Sequence, residues 1–262
     1  GARARGIEAV AIVLLHGYRF PQHELGLAAL AREVGFAQVS VSHEVSPLMR
    51  RVRRGDTTVV DAYLTPILRR YVDRVAAAFE GDMTGKLLFM QSSGGLTDAT
   101  RFQGKDAILS GPAGGVLGAA RVSEIAGFPR MLGFDMGGTS TDVCHFAGAF
   151  ERVLNTEVAG VRVTAPMMMI HTVAAGGGSI LTFDGARMRV GPESAAANPG
   201  PAAYGRGGPL AVTDANLLTG RLRPDYFPAI FGPNADRPLD AEAVREGFGR
   251  LAADIGKAPE EV

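Results

Sequence analysis

Apolar residues fall in short blocks along the first half of the chain, separated by helical stretches. Residues 9–15 form an unbroken apolar run, which predicts a buried strand. Residues 24–34 carry helical spacing up to Gly35, and 37–41 alternate as a second strand. Val60, Leu64, Ile67, Leu68, Tyr71, Val75 and Phe79 then recur at helical intervals. They predict a long helix over 56–79, kinked at Pro66 and stopped by Gly81. Arg50, Arg51, Arg53 and Arg54 precede it and read as a solvated helix face. A third strand is expected at 86–90, with a turn at 92–95. Residues 107–109 read as a short strand, and 113–126 as a helix of small residues behind Pro112. Strands at 131–134 and 141–146 flank a turn at 135–139.

Beyond residue 150 strands dominate. They are expected at 152–163 and 167–174, and as a hairpin of 179–183 with 187–190 across Asp184 and Gly185. Residues 191–209 are rich in Gly and Pro and read as a loop. Leu217 and Leu218 suit a short helix after Asp214, and Asp240 and Gly256 suit the cap and stop of a final helix. The pattern is α/β, either divided near residue 130 or built as one mixed unit.

Composition narrows the function. With 27 basic and 27 acidic residues the formal net charge is zero, so no nucleic-acid partner is expected. Apolar runs such as 10–15 are too short to cross a bilayer, so no membrane residence is expected either. Cys144 is the only cysteine, which fits a reducing, cytoplasmic setting. The 35 glycines are clustered, and clustered glycine marks tight turns or close backbone approach. The sequence opens on Gly1 and enters a strand within ten residues, so it is expected to be a fragment.

The chemistry concentrates at 134–143, Phe-Asp-Met-Gly-Gly-Thr-Ser-Thr-Asp-Val. Gly137 and Gly138 permit a turn whose N–H groups point one way, an anion nest. Thr139, Ser140 and Thr141 add hydroxyl donors for phosphate oxygens. Asp135 and Asp142 flank the turn and suit Mg²⁺ beside a phosphate, or orientation of an attacking water. The same stretch also reads as an acid-rich hairpin turn without a ligand. His16 and His23, with Glu24, could gather as ligands for Zn²⁺ or Mn²⁺, or simply lie on a surface loop. His171 stands before Gly176, Gly177 and Gly178 and suits a ligand, an acid or base, or a hydrogen-bonded core residue. His145 and Asp142 face opposite sides of a regular strand. The glycines of 111–118 lack the G-x-G-x-x-G spacing of a dinucleotide turn and suit close helix packing. Met167, Met168 and Met169 read as core.

The order small-residue helix, strand, Asp-x-Gly-Gly-Thr, strand, Asp resembles the second phosphate motif of the actin/hexokinase/heat-shock-chaperone ATPases. Several stretches together resemble the hydantoinase A/5-oxoprolinase family. These are Leu14-Leu15-His16 with Pro21-Gln22-His23-Glu24, Met90-Gln91-Ser92-Ser93-Gly94-Gly95, Ser110-Gly111-Pro112-Ala113-Gly114-Gly115, residues 134–143, residues 170–179 and residues 198–208. The resemblance implies an actin-like, ribonuclease H-like α/β fold of mixed sheets with flanking helices, present in part. Residues 1–129 would end a first lobe, with the connecting helix from Pro112. Residues 130–262 would begin a second lobe, with the phosphate-binding hairpin and the glycine-rich loops.

The resemblance also implies ATP-coupled hydrolysis of a cyclic amide such as a hydantoin or 5-oxoproline. Related ketone carboxylases and a non-catalytic nucleotide-binding module are the alternatives. It implies catalytic and Mg²⁺-holding roles for Asp135 and Asp142. Gly137, Gly138, Thr139, Ser140, Thr141, Gly176, Gly177 and Gly178 would hold ATP, and His16, His23 and His171 would be further metal ligands. The expected partners are the cyclic amide, the remainder of a parent chain and a hydantoinase B-type subunit. One departure stands out: the superfamily's earlier Asp-x-Gly-x-Thr is missing before residue 130, so the isolated chain is expected to bind ATP poorly.

Overall fold

The structure, a computed structural model, describes residues 1–79, 87–158 and 160–257. The expected stop at Gly81 and the start of the strand at Lys86 lie outside the described residues. The chain forms two compact units, Gly1–Gly133 with Cys144–Ile170, and Phe134–Val143 with His171–Val262. A single cut at residue 130 therefore does not reproduce them, because the segment after Val143 returns to the first unit.

In the first unit β1 (Ala9–Ile12) and β2 (Gln38–Val41) pair in parallel, from Ala9 opposite Gln38 to Ile12 opposite Val41. A parallel pair needs a crossover, and α1 (Gln22–Glu33) supplies it. Gly35, at φ +93°, takes the left-handed conformation that turns the chain after α1. After the short α2 (Ser42–Val45), α3 runs from Arg51 to Ala77 with Pro66 inside it. The helix begins earlier than its apolar spacing predicts. Arg54 corrects the expected solvated face: it is fully buried. Its guanidinium donates to the Leu14 and Leu48 carbonyls and to Ser42 Oγ at 2.8 Å.

The strands β3 (Leu88–Met90) and β4 (Leu96–Asp98) form a hairpin around Gly94, at φ +81°. The strand expected at 107–109 is absent, and α4 (Gly104–Ala107) runs into its first residue. The cause is local: Thr65 Oγ1 accepts from Gly104 N (3.0 Å) and Asp61 Oδ1 from Lys105 N (3.2 Å), so α3 caps the new helix. Next comes α5 (Ser110–Ile125), with Pro112 in its first turn.

The strands β5 (Arg130–Met136) and β6 (Thr141–Ala147) follow, their stems counted with the first unit and their tip with the second. The single strand expected at 152–163 is a hairpin of β7 (Arg152–Val158) and β8 (Val161–Met168), with Gly160 at φ +78° in the turn. Val163, Ala165 and Met167 build one core, and Ala113, Val116, Cys144 and Met168 another. Met167 and Met168 are buried as expected, whereas Met169 is 38% exposed. Burial pushes the Cys144 thiol above its ordinary range, against a hydrogen bond with the Gly133 backbone that lowers it.

In the second unit β9 (His171–Val173) pairs antiparallel with the tip of β6. The hairpin of β10 (Ser179–Phe183) and β11 (Met188–Ser194) turns at Asp184 and Gly185, and Asp184 Oδ1 accepts from Ala186 N and Arg187 N at 3.0 Å. Two helices, α6 (Val212–Leu218) and α7 (Ala241–Ile255), close a core of Leu217, Phe231, Leu239, Val244 and Phe248. Asp240 caps α7 through Ala243 N at 2.9 Å, and Gly256 ends it at φ +72°, both as the sequence predicts.

Asp214 sits fully buried in the first turn of α6. Its carboxylate accepts from Ala202 N (3.1 Å), Ala203 N (2.8 Å) and Ala211 N (2.8 Å), tying part of the Gly- and Pro-rich segment to the helix. Burial raises its pKa, and the three N–H groups oppose that rise. Among the described residues, no helix is long and apolar enough to cross a membrane.

Candidate functional site

The turn between β5 and β6 is closed by Gly137 N donating to Ser140 O at 2.9 Å. It is then gripped from the side by the second glycine cluster. Gly177 N donates to Gly137 O (3.0 Å) and Gly178 N to Gly138 O (2.6 Å). A Cβ on Gly176 would meet the Gly138 carbonyl and Thr139 N at 2.7 Å, and one on Gly178 would meet Gly138 O at 2.8 Å. Only glycine lets the two backbones approach this closely. Thr141 Oγ1 donates to Ala175 O at 2.6 Å, and Thr213 N and Oγ1 both donate to Gly177 O, at 2.7 and 2.8 Å. The structure thus brings Gly137 and Gly138 together with Gly176, Gly177 and Gly178, which stand about forty residues away in sequence.

None of the hydrogen bonds among the described residues uses the N–H groups of Gly138, Thr139 or Ser140, or the hydroxyls of Thr139 and Ser140. These are the donors an anion would meet. Asp135 is exposed at the end of β5. Asp142 is half-buried on β6 and accepts from Thr172 Oγ1 across the strand pair at 2.6 Å. Behind the turn lies a cavity of about 350 Å³, walled by Met136, Tyr204, Leu222, Phe227, Phe231 and Leu239, with Thr213 and Asn216 as polar groups. Of these wall residues only Met136 and Tyr204 fall in stretches that stand out by sequence. They meet only because α6 and its flanking turns pack beneath the glycine loops.

The imidazoles behave differently. His171 is exposed on β9, opposite Val143 in register. His16 and His23 are exposed, while Glu24 is fully buried and already engaged. Its carboxylate accepts from Leu14 N (2.8 Å), Ser42 Oγ (2.6 Å), His43 N (3.0 Å) and His43 Nδ1 (2.7 Å). The ligand set of His16, His23 and Glu24 is therefore not assembled: Glu24's imidazole partner is His43. Parallel pairing of β1 and β2 explains this, since it sets the residues after each strand side by side at the start of α1. No spacing in the sequence marks His43. Burial alone would raise the Glu24 pKa, but the donors from Leu14, Ser42 and His43 outweigh it and leave the pKa lowered. Among the described residues, no three His, Cys, Asp or Glu side chains converge as a metal site.

A family model described as hydantoinase/oxoprolinase matches residues 54–262. The 5-oxoprolinase 1 of Arabidopsis thaliana is 50% identical over 97% of the chain, which spans 20% of that relative's length. Among solved structures, nucleotide-free acetone carboxylase matches at TM-score 0.80 and 25% identity, over 99% of this chain and 37% of that one. The ATP-dependent caprolactamase of Pseudomonas jessenii matches at TM-score 0.69 and 33% identity, over 99% of this chain and 38% of that one. The fold is the mixed α/β, actin-like ATPase type expected from the sequence, with small sheets.

Proposed function

Because the chain belongs to the hydantoinase/oxoprolinase family, we propose that it is the phosphate-gripping part of an enzyme that couples ATP cleavage to hydrolysis of a cyclic amide. The observation that carries this reading is the glycine-locked turn at 137–140, whose N–H and hydroxyl donors are left free beside a cavity. Gly138, Thr139 and Ser140 would present N–H groups to phosphate oxygens, and Thr139 and Ser140 their hydroxyls. The locked backbone means these donors need no rearrangement when charge develops on the phosphate. ATP, when bound, supplies the phosphoryl group that makes the amide oxygen a leaving group.

The carboxylates of Asp135 and Asp142 fit Mg²⁺. That ion takes one or two carboxylates and completes its shell with phosphates and water, so a cluster of three protein ligands is not required. Half-burial and the bond from Thr172 fix the Asp142 side chain, while exposed Asp135 keeps its oxygens available. The cyclic amide is of the 5-oxoproline or hydantoin type. A hydantoinase B-type subunit, the remainder of the parent chain and a cytoplasmic setting complete the proposal.

Asp135→Ala is expected to cut 5-oxoproline-dependent ATP hydrolysis by the full-length protein about a hundredfold or more. Its unfolding midpoint should stay put, because the Asp135 side chain is exposed and makes no hydrogen bond or ion pair among the described residues. Wild-type turnover in that variant would overturn the role. Ketone carboxylation is the second reading, favoured by the higher TM-score of the acetone carboxylase match. Assay of the same protein with acetone and bicarbonate in place of 5-oxoproline separates the two.

A further inference from the structure

The arginines at the head of α3 divide into two kinds. Arg54 is consumed by the buried network described above. Arg50, Arg51 and Arg53 make no hydrogen bond or ion pair through their guanidiniums among the described residues, and of these Arg50 and Arg53 line one cleft. They stand three residues apart at the start of a helix whose first turn holds no acid, where the macrodipole disfavours cations. Two unpaired cations in that position favour an anion beside them.

The surroundings show what kind. Both arginines line a cleft of about 370 Å³ in the first unit, with Leu48, Met49, Leu154 and Asn155. Its apolar walls are solvent-exposed: Met49 is 71% and Leu154 47% accessible. Asn155 Oδ1 accepts from Thr164 Oγ1 at 3.2 Å, which leaves its amide N–H₂ free to donate. An adjoining recess shares Arg53, Asn155 and Thr164 and is lined by Thr156, whose buried hydroxyl has no partner. The acids nearby do not neutralise the pair. Asp56 is taken by Arg162 at 3.3 Å, and Glu157 shares the recess with Arg53 but forms no ion pair with it among the described residues.

We propose that this cleft binds a small organic carboxylate carrying an apolar ring. The carboxylate would meet Arg50 and Arg53, whose planar forks suit it. The ring would lie on Leu48, Met49 and Leu154, and a carbonyl would accept from Asn155. The proposed function enters only in the choice of probe, since 5-oxoproline is a lactam with a carboxylate.

The test is calorimetric titration of the full-length protein without ATP, using 5-oxoproline and its carboxylate-free counterpart pyrrolidin-2-one. The wild type should bind 5-oxoproline and bind pyrrolidin-2-one at least about tenfold more weakly. Arg50→Gln/Arg53→Gln should raise the 5-oxoproline Kd about tenfold or more with an unchanged unfolding midpoint, and Arg53→Lys should fall between. Equal affinity for the two lactams, unchanged binding in the double variant, or displacement of 5-oxoproline by equimolar inorganic phosphate would each overturn the site. Carboxylate binding that depends on the arginines, in a protein lacking 5-oxoproline-dependent ATP hydrolysis, would remove the proposed function and leave the cleft standing.

Discussion

Arg54→Met should destabilise the first unit by about 3–5 kcal/mol, the cost of leaving a buried charged network without one member. The side chain is fully buried and ties three places together: the Leu14 carbonyl after β1, the Leu48 carbonyl, and Ser42 Oγ, which in turn donates to Glu24. Removing it orphans the Leu48 carbonyl, leaves the Leu14 carbonyl with the Gly17 N–H alone (3.2 Å), and leaves the Glu24 carboxylate buried without its cationic neighbour in the network. Glu24→Gln should cost less alone, and the double variant less than the sum of the two, because the second change relieves the first. Urea unfolding of the four proteins measures this directly; strict additivity would mean that Ser42 does not couple the charges.

The pH dependence has a definite sign. The folded Glu24 pKa is lowered, so its contribution is present above the ordinary glutamate range. It is lost as pH falls through the folded pKa. Wild-type stability should therefore drop on acidification, and Glu24→Gln should flatten that slope.

On the proposed function, Gly176→Ala should weaken ATP binding by the full-length protein about tenfold or more, because it displaces the turn that would hold the phosphates. The added Cβ would sit 2.7 Å from the carbonyl of Gly138 and the nitrogen of Thr139, which are main-chain atoms with no rotamer to escape into. Either the two loops separate or the turn deforms, at a cost of about 1–3 kcal/mol for overpacking. Gly138→Ala is the informative contrast. A Cβ there meets nothing within 4 Å, so the fold should be indifferent to it. Nucleotide titration with both variants checks the geometry. Equal tolerance at both positions would show that the loops are not held as tightly as their hydrogen bonds imply.

The sequence carried the glycine turns of the candidate site but little of its cavity wall. Gly176 and Gly178 were legible because close backbone approach leaves a compositional mark: a Cβ at either would strike the Gly138 backbone. The ends of α7 were legible for a similar reason, since Asp240 and Gly256 perform local capping that needs no tertiary partner. Long-range chemistry was not legible. Arg54 sits in a run of basic residues that looks solvated, and only parallel pairing of β1 with β2 folds Leu14 and Ser42 around it. The segment at 107–109 looks like a strand by composition, yet Thr65 and Asp61 of α3 cap a helical turn that runs into it. The hairpin of β7 and β8 was read as one strand because a lone Gly160 is a weak signal inside an alternating run. Leu222, Phe227 and Phe231 carry no motif and become a cavity wall only through packing.

The one thiol gives the molecule a built-in reporter. Cys144 lies 8% exposed in the first unit's core, and burial pushes its pKa up, so an alkylating reagent meets neither an accessible sulfur nor a thiolate. Labelling then requires the strand carrying it to open, and its rate becomes a count of those openings. A chain with several cysteines would blur that signal. Here a single mass shift would track local unfolding of the first unit, including any loosening caused by changes at Arg54, without a probe being introduced.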